Sequence, residues 1–159
     1  MGNNEIRKYL NIFNKFFEVS SIVIFSIMLI SVVMQVLFRY VLKTPLIWIE
    51  EITRFLLIWA VFIGSVVAQK KVVHPRVDFV IDLLPKRLAK KVNIFLDLIV
   101  LLFCISMLYY GFQLALVLKN LYTPTLGISL FYLYISIPVT ATAMAVNQMG
   151  FIREAFRSN

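Results

Sequence analysis

A chain of 159 residues has room for one modest domain, but 61% of them are apolar and only 15% charged, and the mean hydropathy is +0.88. Soluble globular chains are nearer half apolar and a quarter charged, so the composition excludes a water-soluble fold and, through its many large apolar side chains, intrinsic disorder. The net charge of +8 has no soluble module on which to form a basic face, which excludes nucleic-acid binding. One cysteine, Cys104, allows no intramolecular disulfide and argues against a cysteine-based metal site.

Four stretches lack Asp, Glu, Lys and Arg: Val19–Phe38, Phe55–Gln69, Leu98–Leu118 and Asn120–Ile152. A helix crossing the hydrocarbon needs about 20 residues. The second stretch is short and must extend back through charged residues. The fourth is too long for one span and is broken by Thr123-Pro124-Thr125-Leu126-Gly127. The expectation is an all-α integral membrane protein forming a single membrane domain, 1–159. Its four transmembrane helices fall at about 19–38, 47–69, 92–118 and 128–149, with interfacial helices at about 5–18 and 76–84.

Lys and Arg set the orientation. Twelve of the sixteen fall before the first span, between the second and third, or in the tail; four (Arg39, Lys43, Arg54 and Lys119) fall at the other ends. The positive-inside rule places the twelve, and so both termini, in the cytoplasm. The first apolar run is too long for a signal h-region and is followed by Arg39-Tyr40-Val41-Leu42-Lys43, with no small-residue cleavage site; it reads as an uncleaved span.

Along Glu5–Glu18, Ile6, Tyr9, Leu10, Phe13, Phe16 and Phe17 recur at helical spacing, with Arg7, Lys8, Asn11, Asn14 and Lys15 mostly opposite. This predicts an amphipathic helix at the interface that runs into span one. Gln35, in the last turns of that span, suits a hydrogen bond to a neighbouring helix. Thr44-Pro45 marks the turn into span two, which opens Ile47-Trp48-Ile49-Glu50-Glu51-Ile52-Thr53-Arg54. Glu50 and Arg54 are four apart and Glu51 and Arg54 three, so either pair can meet on a helix. Three charges within two turns of a span are costly unless paired or wet. They suit interfacial snorkelling, a buried ionic lock to another helix or subunit, or a proton or sodium relay.

Between spans two and three, Val77, Val80, Ile81 and Leu84 form an apolar face ended by Pro85, predicting a short in-plane helix. His74, Asp78 and Asp82 are four apart, but Pro75 takes His74 out of helical register and no His/Cys pairing accompanies them, so no metal site is expected. The pattern of span three starts near Arg87, with Asn93 and Asp97 at its inner end beside Lys90 and Lys91. Tyr109 and Tyr110 suit the outer leaflet. Span four contains Pro138, whose missing N–H predicts a kink, and Asn147 and Gln148 near its inner end. One histidine and five unclustered glycines leave no catalytic triad and no phosphate-cradling loop. No enzyme activity and no cofactor are expected.

The run Trp48-x-Glu50-Glu51-x-x-Arg54-x-x-x-x-Trp59-x-x-Phe62-x-Gly64-x-x-x-Ala68, then His74-x-x-x-Asp78 and Pro85, then Thr125-Leu126-Gly127-Ile128-Ser129 and Ile137-Pro138, resembles the small membrane subunit of tripartite ATP-independent periplasmic (TRAP) transporters. Val73 and Pro75, flanking His74, depart from that pattern. The resemblance implies a scaffold subunit of a secondary-active, sodium-coupled transporter that imports an organic acid across the bacterial inner membrane. Its partners would be a large polytopic subunit carrying the solute and sodium sites, a periplasmic solute-binding protein that docks transiently, and membrane lipid. The small subunit would brace the large one and hold no solute site of its own. Within this reading Glu50, Glu51 and Arg54 form a charge lock, structural or at the subunit interface. His74 and Asp78 order the cytoplasmic loop, and Pro138 kinks the last span. The competing expectation is a self-sufficient homodimeric transporter, proton-coupled through Glu50 or Glu51.

Overall fold

The computed structural model describes residues 3–71 and 85–157. These form α1 (Asn3–Tyr40), α2 (Ile47–Lys71), α3 (Lys86–Val117), a 3-10 turn (Leu118–Asn120), the short α4 (Phe131–Tyr134) and α5 (Ser136–Arg157). Among the described residues four segments are long and apolar enough to cross a membrane: Ile12–Tyr40, Ile47–Gln69, Lys91–Asn120 and Phe131–Arg153. Among the described residues there is no β-strand, only one isolated bridge between Tyr122 and Ser129. The chain is an all-α, multi-pass membrane protein.

Helix α1 is 38 residues long with no break, about 57 Å at 1.5 Å per residue, which exceeds the roughly 30 Å of hydrocarbon. The amphipathic segment and the first span are therefore one continuous rod. The turn into α2 is tight. It places Lys43 at φ 54°, in the left-handed region, before Pro45 leads into α2. The interfacial helix expected over 76–84, with His74 and Asp78, lies outside the described residues.

The helices pack in the order α1, α2, α5, α3. Gln35 meets Ile49 and Thr53, so α1 and α2 are antiparallel. Gly111 meets Ile137 while Asp97 meets Gln148, so α3 and α5 are antiparallel as well. Glu51, Trp59 and Gln69 meet Thr125, Tyr132 and Gln148 in turn, so α2 runs parallel to the last span. Two helical hairpins thus lie side by side, joined through their second helices. Burial follows that order: 6% of the most apolar stretch of the α1 span is buried within the chain, against 39% for the last span. The central cluster is Phe17, Ile63, Val66 and Ala143, with Ile24, Trp59, Val67 and Met144 against it.

The α3–α5 seam is made of small side chains. Cys104 and Ala115 on α3, and Ser136, Thr140 and Ala141 on α5, are almost fully buried. In lipid, helices associate by close packing, because lipid tails are as apolar as leucine, and small residues let backbones approach. At Gly111 the approach leaves no room for a side chain. A Cβ there would lie 2.6 Å from Ile137 Cγ2 and 3.3 Å from Pro138 Cδ. Ser136 and Thr140 return their hydroxyls to carbonyls three or four residues earlier, which keeps these buried polar groups satisfied.

Pro138 is the third residue of α5. It has no N–H for the carbonyl of Tyr134, four residues back, and regular helix is interrupted between Tyr134 and Ser136. Ile135 retains right-handed helical dihedrals, φ −64° and ψ −17°, and Val139 resumes the ladder to the Ile135 carbonyl at 3.2 Å.

Candidate functional site

The charged opening of α2 divides into two environments. Glu50 and Arg54 lie one turn apart on an exposed face, 3.6 Å from carboxylate oxygen to guanidinium nitrogen, with side chains 64% and 65% exposed. Glu51 is one residue and about 100° further round the helix, and it is 6% exposed. It faces the segment between α3 and α4, and its partners come from there.

That segment is a small hairpin. The Thr123 N–H donates to the Ile128 carbonyl at 2.9 Å and the Leu130 N–H to the Leu121 carbonyl at 2.9 Å. Thr123-Pro124-Thr125-Leu126-Gly127 forms its tip. Pro124 presets one backbone angle. Gly127, at φ +64°, supplies the left-handed position that closes the turn, and its N–H reaches the Thr123 carbonyl at 3.1 Å. The Ile128 N–H donates to the Thr123 hydroxyl at 3.1 Å. Two successive amides at the tip then point outward from the turn, a geometry that suits an anion. Glu51 fills it: Oε1 accepts the Thr125 N–H at 2.8 Å and Oε2 the Leu126 N–H at 2.9 Å. Both carboxylate oxygens are engaged by backbone, and the two hairpins are tied at this end. A cleft of about 260 Å³ lies alongside, bounded by Glu50, Glu51, Arg54, Phe55, Tyr122 and Leu133 among others.

Further down, Trp59 Nε1 donates to the Tyr132 carbonyl at 3.0 Å, an acceptor beside the interruption before Pro138. Gln35 binds across the first hairpin, donating to the Ile49 carbonyl at 3.3 Å and to the Thr53 hydroxyl. The Thr53 hydroxyl itself donates to the Ile49 carbonyl at 2.8 Å.

A second polar layer closes the end that carries the chain termini. Asn14 and Asn147 exchange two amide bonds of 3.1 and 3.0 Å. Gln69 Nε2 donates to the Gln148 amide oxygen at 3.0 Å and to the Met144 carbonyl at 3.3 Å. Gln148 Nε2 donates to Asp97 Oδ1 at 2.9 Å. Asn147 and Gln148, adjacent on α5, thereby hold α1, α2 and α3. Asn14, Asp97, Asn147 and Gln148 are all buried. The residues were visible in the sequence as polar members of apolar stretches, but their pairing was not, because it joins positions as far apart as 14 and 147. The small-residue seam was missed as well. Its signal was present as Cys104, Gly111 and Ala115 at spacings of seven and four.

Among the described residues no group of three or more His, Cys, Asp or Glu side chains is placed to hold a metal ion. The polar groups that are gathered serve the packing of the helices on one another. Fold and site together define a multi-pass helical membrane protein.

Comparison with known proteins narrows this class. Residues 28–158 match the family described as tripartite ATP-independent periplasmic transporters, DctQ component, and the chain belongs to that family. The family is a transporter component and not an enzyme. The chain is 26% identical over 145 residues to the sialic acid TRAP transporter small permease protein SiaQ of Vibrio cholerae, covering 91% of this chain and 84% of that one. It is 33% identical over 79 residues to the sialic acid TRAP transporter permease protein SiaT of Haemophilus influenzae, covering 50% of this chain but only 13% of SiaT.

Proposed function

We propose that the chain is the small scaffold subunit of a secondary-active, sodium-coupled TRAP transporter that imports a sialic-acid-type organic acid. It lies in the bacterial inner membrane with both termini in the cytoplasm and braces a large polytopic subunit. That subunit carries the solute and sodium, and a periplasmic binding protein delivers the solute through transient contact. The observation that carries this reading is the match to SiaT. A segment like half of this chain takes up 13% of one much longer permease, so the chain is read as the separate form of a part that SiaT carries joined to the rest.

The chemistry of the spans supports a brace. Transport of an anion wants an ionisable group open to a cavity inside the membrane. Glu51 instead has both carboxylate oxygens on backbone amides, and Asp97 is bonded to Gln148. Glu50 and Arg54 remain on the exposed side of α2, where they can lock to the partner. His74 and Asp78 order the cytoplasmic loop, and Pro138 serves packing by opening the backbone between α4 and α5. The competing homodimer, proton-coupled through Glu50 or Glu51, would need a carboxylate free to exchange protons with a cavity.

The test is co-expression of the tagged chain with its chromosomal neighbours, detergent extraction and size exclusion. A stable complex with a much larger polytopic protein is the expected result. Arg54→Ala should loosen that complex while leaving the pH profile of uptake where it was. A homodimer that transports alone in liposomes, with a pH profile moved by Arg54→Ala, would instead establish the competing reading.

A further inference from the structure

The end of α1 and the start of α2 enclose a cleft of about 370 Å³. Gln35, Arg39 and Tyr40 line it from α1, and Leu46, Ile47 and Glu50 from the turn and α2. Tyr40 and Trp48 are exposed at this level, as aromatic side chains are where a span meets the headgroups. The cleft therefore sits at headgroup depth.

Two charges of opposite sign line it. The Arg39 guanidinium lies over the Tyr40 ring, 6.0 Å from its centroid, and among the described residues no carboxylate pairs with it. Glu50 meets Arg54 through Oε1, at 3.6 Å, which leaves Oε2 for a second donor. A guanidinium at the mouth of a span calls for an anion or water. A purely anionic ligand would meet Glu50 as well as Arg39, whereas a zwitterion is matched by the two. The surface below the cleft is apolar. Phe25, Leu29, Val33 and Val36 are all exposed, and their spacings of four, four and three put them on one face of α1. Val36 itself borders the cleft. From Val36 down to Phe25 the helix drops about 16 Å, close to the roughly 15 Å of one leaflet's hydrocarbon. A charged cleft at headgroup depth above an apolar strip one leaflet long has the outline of a phospholipid.

We propose that this cleft binds a phospholipid whose headgroup carries a primary ammonium. The phosphate sits on Arg39, the ammonium donates to Glu50, and an acyl chain follows the strip from Val36 to Phe25. Basic clefts between spans take lipid headgroups in this way. Glu50 adds selectivity, because a primary ammonium can donate hydrogen bonds to it and a quaternary one cannot. The inference needs only the membrane setting and does not depend on the brace reading.

The experiment is native mass spectrometry of the full chain, stripped of lipid in detergent and offered equal amounts of phosphatidylethanolamine, phosphatidylcholine and phosphatidylglycerol. One phosphatidylethanolamine should be retained per chain, with about a tenfold preference over the other two, as expected for one charge-assisted hydrogen bond. Glu50→Gln should abolish the preference over phosphatidylcholine. Arg39→Gln should lower phosphatidylethanolamine retention about tenfold. Both side chains are exposed, so both variants should melt with the native chain in lipid-free detergent. Lys119→Gln, outside the cleft, should change nothing. Equal retention of the three lipids by the native chain, a preference for phosphatidylglycerol, or an undiminished preference in Glu50→Gln would overturn the proposal. Displacement of the lipid by free phosphoethanolamine, which has no acyl chain, would also overturn it and assign the cleft to a soluble zwitterion. The ranking on the native chain decides the question even without the variants.

Discussion

Adjacent glutamates in this chain do different things, and a rotation of about 100° separates them. Glu50 pairs with Arg54 on an open face, whereas Glu51 ties down two backbone amides of the hairpin tip. Charge-assisted bonds of this kind are roughly twice as strong as neutral ones. Glu51→Gln keeps the shape but removes the charge and turns one acceptor into a donor facing an N–H. Amide hydrogen exchange at Thr125 and Leu126 should rise, and the melting temperature in detergent should fall. The same substitution at Glu50 should leave both unchanged in the isolated chain. Equal effects at the two positions would contradict the division of roles. Gly111 offers a test of opposite character. Its missing Cβ would sit 2.6 Å from Ile137 Cγ2 and 3.1 Å from Ile137 Cβ, so Gly111→Ala should cost about 1–3 kcal/mol through overpacking, measured by reversible unfolding in mixed micelles. Ala115→Gly, further along the same seam, would leave a small void instead.

At the scale of the elements, polar contacts bracket an otherwise apolar assembly. Glu51 ties α2 to the hairpin at one end; at the other, Asn14–Asn147 and Gln69–Gln148–Asp97 tie all four spans. Hydrophobicity cannot choose among helix pairings in lipid, but hydrogen bonds and shape can. Asn147→Leu removes both amide bonds to the buried Asn14 and should destabilise the chain, whereas Asn14→Leu combined with Asn147→Leu removes both halves of the pair. The double-mutant cycle should return a coupling energy of about 1 kcal/mol, in the range found for interhelical bonds in membranes. Additive losses would show that the two amides do not act together.

For the molecule as a whole, the order α1, α2, α5, α3 leaves wide apolar faces on α1 and α3 and makes the last span the centre. The proposed orientation has a direct check. Fluorescent-protein fusions at either terminus should be bright, since that reporter matures in the cytoplasm, and alkaline phosphatase inserted after Thr125 should be active. The reverse pattern would invert the topology drawn from Lys and Arg.

Much of this was legible in the sequence for a physical reason. Whether a segment crosses a membrane depends on its own length and transfer free energy, and both are properties of a continuous stretch. Four apolar runs, a turn at Pro45, a break at 123–127 and a helical segment running into span one could therefore be read directly, and the run from Trp48 to Ala68 carried the family resemblance. What the residues bond to was not legible in the same way. Spacing allowed Glu51 to meet Arg54, but the folded chain sends it to amides more than seventy residues away. Gln148 could have faced any helix, and it holds α2 and α3 together. Gly64 and Gly111 look alike in the sequence, yet a Cβ on the first would meet the Ser21 hydroxyl of α1 at a comfortable 4.0 Å, and the second is pressed against Ile137. The sequence by itself determined the spans, because burial in lipid is decided segment by segment. The tertiary structure decided the partners, because pairing depends on which helices become neighbours and on which face of each is turned inward.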